Sequence, residues 1–295
     1  AACNLLPGPA STQLAIFCAR RLGGTAGAIV GGLGFVAPAV VLMLALSALF
    51  LSHSPPTWIR GAGAGAGAAV AAVAVRAGIG LARPSWKRAQ SGTARRRRWM
   101  AYALLGGASA ALIGPYLVLV LLGCGALELG LRGGGGGERL RSYALVPALP
   151  VAAASVGGVG ALAWVALKVG ALSFGGGFVI VPLMQRDAVH TYHWMTATGF
   201  LNAVALGQVT PGPVVATVAA IGYAAHGLGG GILAAGIAFA PSFLLVLLGG
   251  GHFERLRDNA RAQAFLDGAG PAAVGAILGA AIPLAGALAE TWQIL

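Results

Sequence analysis

Apolar runs of about twenty residues recur along the whole chain, and each is long enough to cross a ~30 Å hydrocarbon core as a helix. Short polar or Gly/Pro-rich segments separate them. Residues 5–19 form a short apolar stretch opened by Pro7-Gly8-Pro9, and residues 23–51 a long helix candidate with a kink expected at Pro38. A Gly/Ala-rich span follows at 61–82, then a basic loop from Arg83 to Arg98. Residues 99–131 are apolar and broken at Gly114-Pro115, which suits two short crossings. After a Gly-rich loop at 132–142, apolar character resumes at 143 and continues through the break at Phe174-Gly175-Gly176-Gly177 to Met184. A polar turn at 186–198 leads into a stretch ending at Pro211-Gly212-Pro213. Helix candidates at 214–225, 230–250 and 268–288 complete the pattern, the last two separated by a charged segment at 252–264. The short alternating segments of a membrane β-barrel are missing from this pattern. The expected fold is an all-α, polytopic membrane protein.

The chain also repeats itself at an offset of 204 residues. Pro7-Gly8-Pro9 matches Pro211-Gly212-Pro213, and Ala15, Gly23, Gly27, Gly32 and Phe35 match Ala219, Gly227, Gly231, Gly236 and Phe239. Ala68-Ala69-Val70 matches Ala272-Ala273-Val274, and Cys18 falls opposite Gly222. Gly and Ala are common here, so the constancy of the offset carries the inference, not any one match. Two homologous helical repeats with broken helices are expected: 1–98 the first, 99–150 connecting spans and loop, 151–295 the second. The counterpart of the segment upstream of Pro211 would precede residue 1, so a first helix or two is expected there.

Charge orients the halves. Loop 83–98 carries seven Lys/Arg and no acid, and is expected in the cytoplasm. One span earlier, 52–60 carries only Arg60. Earlier still, Arg20-Arg21 returns to the cytoplasmic side. In the second half the pattern is exchanged: 252–264 carries Arg255, Arg257 and Arg261, while Ala224-Ala225 is uncharged. An inverted topology is the expectation.

Composition agrees with a membrane chain. Of 295 residues 58% are hydrophobic and 9% charged, where a soluble domain carries about a quarter charged residues. Mean hydropathy is +0.84. The net charge of +12 sits in short loops between apolar runs, which argues for topogenic signals and against nucleic-acid binding. Cys3, Cys18 and Cys124 are scattered in apolar company, with no disulfide framework or zinc spacing. No cofactor is expected.

Candidate chemistry lies at the breaks. Pro-Gly-Pro frees backbone groups that hydrocarbon does not tolerate unless protein or a water-filled cavity covers them. Two readings follow: a structural kink, or the start of a discontinuous helix whose first-turn N–H groups and dipole favour an anion. Recurrence at matched points favours the second. Ser173-Phe174-Gly175-Gly176-Gly177 has the same two readings, an anion nest or close helix packing. Lys168 either faces the pathway or snorkels to an interface. Thr12 and Gln13, after the first Pro-Gly-Pro, and Gln208 and Thr210, before the second, add hydroxyl and amide groups. Gly23, Gly27 and Gly31, mirrored by Gly227, Gly231 and Ala235, read as packing stripes. Asp187, His190 and His193 are candidates for proton coupling; two histidines do not make a metal site. No nucleophile–base pair, metal cluster or carboxylate pair lies inside the spans, so an enzyme is not expected.

The segment Leu6-Pro7-Gly8-Pro9-Ala10-Ser11-Thr12-Gln13-Leu14-Ala15-Ile16 resembles the first-half signature of the chromate ion transporter family. Gly170-Ala171-Leu172-Ser173-Phe174-Gly175-Gly176-Gly177 with Ile180-Val181-Pro182-Leu183 is similar to the opening of its second half. Gly207-Gln208-Val209-Thr210-Pro211-Gly212-Pro213 with Ile221-Gly222-Tyr223 completes that signature. The family's first-half Phe-Gly-Gly-Pro-type motif would fall before residue 1. The resemblance implies a bacterial plasma-membrane secondary transporter that exports chromate, coupled to the proton gradient, with sulfate as competitor. The alternatives are a transporter of sulfate or another anion, and a truncated inactive remnant. The dianion would sit between the breaks of the two halves, held by Pro7, Gly8, Pro9, Thr12, Gln13, Ser173, Phe174, Gly175, Gly176, Gly177, Gln208, Thr210, Pro211, Gly212 and Pro213. Lys168 would be a counter-charge. Rocking of one half against the other would alternate access. The expected partners are chromate, protons and the lipid bilayer, with sulfate and a homodimer left open.

Overall fold

The computed structural model describes residues 8–51, 57–90, 92–113, 117–132, 158–173, 180–249 and 259–286, and every regular element among them is helical. In order they are α1 (Ala10–Phe50), α2 (Thr57–Ala89), α3 (Thr93–Ala108), α4 (Leu117–Arg132), α5 (Val159–Leu172), α6 (Val181–Gln185), α7 (Ala197–Val209), α8 (Thr217–Gly249) and α9 (Ala260–Gly286). A π-helical turn, Ser109–Ile113, extends α3, another, Arg186–Thr191, extends α6, and a 3-10 turn, Val214–Ala216, precedes α8. Four helices among the described residues are long and apolar enough to cross a membrane: Ala10–Phe50, Gly65–Lys87, Val214–Gly249 and Ala260–Gly286.

Two of these are hairpins. Within α1 the dihedrals leave the helical region at Gly23 (φ −129°, ψ 20°) and Gly24 (φ 62°, ψ −146°). Along a continuous helix residues 16 and 32 would lie about 24 Å apart. Instead a Cβ placed on Gly32 would meet Ile16 Cγ1 at 2.8 Å, and Gly27 lies on the carbonyl oxygen of Ala19. The chain has turned back on itself. α8 does the same at His226 (φ −145°, ψ 29°) and Gly227 (φ 65°, ψ −155°), where Gly222 lies on the Gly230 carbonyl and against Ala234 Cβ. The short limbs, 10–22 of α1 and the 3-10 turn plus 217–225 of α8, are each roughly 20 Å long at α and 3-10 rises per residue. That is two-thirds of a ~30 Å hydrocarbon core. Each short limb is therefore too short to cross that core alone, and at its end the chain reverses into the long limb. The sequence pattern had already separated these limbs, at 5–19 against 23–51 and at 214–225 against 230–250. The break falls at the glycines, and helical dihedrals run through Pro38.

The hairpins also correct the register of the repeat. Gly8 and Gly212, both with positive φ, keep the offset of 204, but Gly24 matches Gly227 and Pro38 matches Pro241, an offset of 203. Ala19, not Cys18, stands in the place of Gly222. The lost residue has a physical cause. Three residues of 3-10 helix rise about 2.0 Å each where α-helix gives about 1.5 Å, a gain of about one α-helical step.

The long limbs of α1 and α8 pack against each other. Gly32 meets the Phe243 ring, and Gly231 meets Leu44 Cδ2. Twelve residues forward on one limb correspond to twelve back on the other, so the matched limbs run antiparallel, as equivalent helices of an inverted repeat would. Arg20 near the end of the α1 short limb donates to the carbonyl oxygen of Val246 on α8. α5 packs on α8, and α7 on both α8 and α1. The second bundle gathers α2, α3 and α4 around α9. There Gly275 of α9 lies on the Ala103 carbonyl and Gly279 on that of Gly107, the close backbone approach that small residues permit. α2 against α7 forms the main seam between the bundles.

Each bundle thus contains both members of one matched pair: α1 with α8 in the first, α2 with α9 in the second. Helices from the N-terminal and C-terminal parts of the chain therefore pack together within each bundle. The basic segment 83–98 is also not an open loop. Its ends lie in α2 and α3, with only a short turn near Gly92.

The glycines at the hairpin turns adopt a conformation that side chains resist, whereas Gly34 and Gly236 sit in helix with nothing within 4 Å of an added Cβ. Gly24→Ala and Gly227→Ala should each cost about 1–3 kcal/mol. Gly34→Ala and Gly236→Ala should be neutral or stabilising by up to about 1 kcal/mol. Melting temperatures of the four purified variants in detergent check this; equal behaviour of the two pairs would contradict the hairpins.

Candidate anion-binding site

The first Pro-Gly-Pro opens the α1 short limb. Pro9 caps it (φ −68°, ψ 109°) without a side-chain hydrogen bond, and the helical ladder starts with Gln13 N–H donating to the Pro9 carbonyl at 3.0 Å. The N–H groups of Ala10, Ser11 and Thr12 lie outside that ladder and add their dipoles to the positive end of the helix. Gly8, at φ +121°, donates its N–H to the carbonyl of Ser173 at 3.1 Å. That bond joins the end of α5, where the Gly-rich segment begins, to the first Pro-Gly-Pro. The α8 long limb closes the other side: a Cβ on Gly8 would stand 3.0 Å from Ser242 Oγ and 2.5 Å from Gln13 Nε2. Thr12, Gln13, Ser173 and Ser242 have no exposed surface. The hydroxyls of Thr12, Ser173 and Ser242 have no hydrogen-bond partner among the described residues. An unpartnered buried polar group costs about 1–3 kcal/mol, so three on residues around one helix start make sense where a ligand or water completes them.

The second Pro-Gly-Pro has a similar backbone and different chemistry. Gly212, at φ +139°, packs on Ala39 Cβ of the α1 long limb, at 2.6 Å from an added Cβ. At the offset of 203, Ala39 is the counterpart of Ser242. Thr210 Oγ1 donates to its own helix at Leu206 O, 2.8 Å, and lies 3.5 Å from Met43 Sδ. Thr217 Oγ1 donates to Val214 O at 2.7 Å. Gln208 Nε2 and Asn202 Oδ1 are buried without a partner among the described residues. Pro211 and Gly212 are exposed and Pro213 is buried.

Lys168 is occupied. Its Nζ lies 2.6 Å from Asp187 Oδ2 and 5.7 Å from the centre of the Trp164 ring. As a counter-charge for an anion it is therefore already balanced. Asp187 stands in the π-helical turn after α6, outside the candidate spans, and is buried. Burial pushes its carboxyl above the ordinary value, against the pull of Lys168 and Arg186. His190 and His193 are exposed in that connection. Pro7, Phe174, Gly175, Gly176 and Gly177 lie outside the described residues.

Sequence reasoning missed two features. Ser242 is a lone hydroxyl beside Pro241 in an apolar run, and its partner Gly8 is 234 residues away. Glu128 is the only acid between 99 and 131, a signal in itself. It is buried and held by Arg98 Nε at 2.9 Å, Arg132 Nε at 2.8 Å and Tyr102 OH at 3.1 Å. Arg132 also reaches Asp267 at 2.8 Å, and Trp99 Nε1 donates to Ser85 Oγ at 2.9 Å. This network ties one end of α2, α3, α4 and α9 together. Among the described residues no group of three or more His, Cys, Asp or Glu could hold a metal ion.

Paired re-entrant helices, entered through proline-glycine breaks inside a polytopic helical fold, are the architecture of a membrane transporter. The chain belongs to the chromate transporter family, whose family model matches residues 1–129 and 160–295. It is 33% identical to the chromate transport protein of Cupriavidus metallidurans over 292 residues, 96% of this chain and 70% of that one. A probable chromate transport protein of Synechococcus elongatus is 30% identical over 291 residues, covering 95% and 72%. The chromate transport protein of Pseudomonas aeruginosa is 31% identical over 303 residues, covering 97% and 70%. No solved structure matches the chain.

Removing one member of a buried ion pair leaves its partner uncompensated, which costs up to about 3–5 kcal/mol, less where water reaches the pair. Asp187→Asn should lower the melting temperature more than the double change Lys168→Met with Asp187→Asn. Thermal unfolding of both variants in detergent checks this.

Proposed function

We propose that this protein is a secondary transporter that exports chromate across the bacterial plasma membrane, driven by the proton gradient. The reading is carried by one observation: the buried hydroxyls of Thr12, Ser173 and Ser242, on residues around the start of a half-helix too short to span the hydrocarbon core, have no partner among the described residues. Family membership and the names of the relatives support the substrate. A tetrahedral dianion fits such a place, because helix-start N–H groups and hydroxyl donors replace its hydration shell without an acidic neighbour. The binding residues are Gly8, Pro9, Thr12, Gln13 and Ser173 at the first break, with Phe174–Gly177 next in the sequence; Gln208, Thr210 and Pro211–Pro213 form the matching break across the hairpin pair. Sulfate, with the same shape and charge, is the expected competitor. Asp187 is the carboxyl placed to exchange the coupling proton.

The halves are inverted, and loop 83–98 faces the cytoplasm. Ser85 and Arg98, both in that segment, lie at the same end of their bundle, each through a side-chain contact to α3 or α4. Because each bundle holds members of both halves, alternating access takes the form of the α1/α5/α7/α8 bundle moving against the α2/α3/α4/α9 bundle along the α2–α7 seam.

Cells of a chromate-sensitive bacterium expressing the chain should accumulate less radiolabelled chromate, and a protonophore should abolish the difference. Gly8→Ala and Gly212→Ala force a side chain onto positive φ at the two breaks and should remove most of the export while membrane expression persists. Unchanged accumulation in the two variants would refute the site. No difference between expressing and control cells, with the protein confirmed in the membrane, would refute chromate export.

A further inference from the structure

The two Pro-Gly-Pro breaks share a glycine at positive φ, yet they differ in the hydroxyls around them. At the first, three hydroxyls from three separate segments stand buried and unpartnered: Thr12 on the α1 short limb, Ser173 at the end of α5, Ser242 on the α8 long limb. At the second, the counterpart of Ser242 is Ala39, a methyl group pressed on Gly212, and Thr210 spends its hydroxyl on the Leu206 carbonyl. We infer that the transporter holds its oxyanion in the first crevice alone, with the Ser242 hydroxyl, supplied by the second repeat to the helix start of the first, as a ligand that sets affinity; this rests on the chromate-transport reading.

The chemistry follows from what each group offers. The helix start supplies N–H donors and a positive dipole, and the absence of a side chain at Gly8 leaves backbone within reach of Ser242 and Gln13. Ser242 is fully buried and stands beside that start, so its hydroxyl proton is available to an acceptor entering the crevice. The nearest cationic pair on α5, Lys168 with Asp187, is self-compensated. Binding then depends on neutral donors, and loss of one is felt directly in affinity. The second break keeps its proline-glycine geometry as a start for the hairpin and acts as a joint.

The test uses the purified chain in proteoliposomes with radiolabelled chromate as the probe and sulfate as competitor. Ser242→Ala should raise KM by about tenfold or more, the loss of one hydrogen bond to a charged group, with kcat less affected. Thr12→Val, which keeps shape and removes only the hydroxyl, should do the same and serves if Ser242→Ala fails to fold. Ser242→Thr, retaining the hydroxyl, should recover most of the affinity. Ser109→Ala removes another buried, unpartnered hydroxyl, in the other bundle, and should leave KM within about twofold. The proposal is overturned if Ser242→Ala and Thr12→Val both stay within about twofold of the parent, or if Thr210→Val raises KM as much as they do. If the unsubstituted chain transports no chromate, the chromate reading itself falls, and this inference with it. Normal transport with a silent Ser242 removes only the inference.

Discussion

A helix that begins inside a hydrocarbon core exposes backbone N–H groups with no water to take them, and the rest of this structure is arranged around two such beginnings. Each is opened by a glycine at positive φ between two prolines, and each is covered by the long limb of the opposite hairpin. The two short limbs end at opposite ends of the hairpin pair, and at each the chain turns back through a second glycine, a ~20 Å segment being too short for a ~30 Å core. Antiparallel packing of the two long limbs then places the starts on either side of one internal core. The α2/α3/α4/α9 bundle supports that core from outside, with α2 against α7 as the seam.

The buried acids among the described residues, Glu128 and Asp187, are each paired with a cation. Glu128 is buried under two arginines and a tyrosine, and Lys168 is closed by Asp187. An unpaired ion at either place would cost several kcal/mol, so these pairs fix how helices meet more than they add stability. Their closure also leaves the proposed anion site to neutral donors. Repetition supplied two equivalent crevices, and side-chain divergence at Ser242 and Ala39 made them chemically unequal.

Much of the fold was legible because its signals are local. Apolar run length marked the limbs, the prolines and glycines marked their ends, and the constant offset marked the two repeats. The errors came where local signals are silent. The offset slips from 204 to 203 because a 3-10 turn covers the same rise with one residue fewer, a choice made by packing at Val214–Ala216. The apolar limbs read as separate runs, and their joint lies at Gly23-Gly24, where the dihedrals leave the helix for the chain to reverse. Lys168 reads as a counter-charge, yet Asp187 lies 2.6 Å away across a turn.

The sequence by itself determined that this is an all-helical membrane chain with two Pro-Gly-Pro breaks and a likeness to one transporter family. Hydrophobic length, backbone-breaking residues and repeated spacing are properties of the chain alone. Only the tertiary structure decided that the halves interleave, that Ser173 and Ser242 meet the first Pro-Gly-Pro, and that the second meets a methyl group. A hydroxyl becomes a ligand only when burial removes its water and no neighbour replaces it, and both conditions are set by residues far away in the chain.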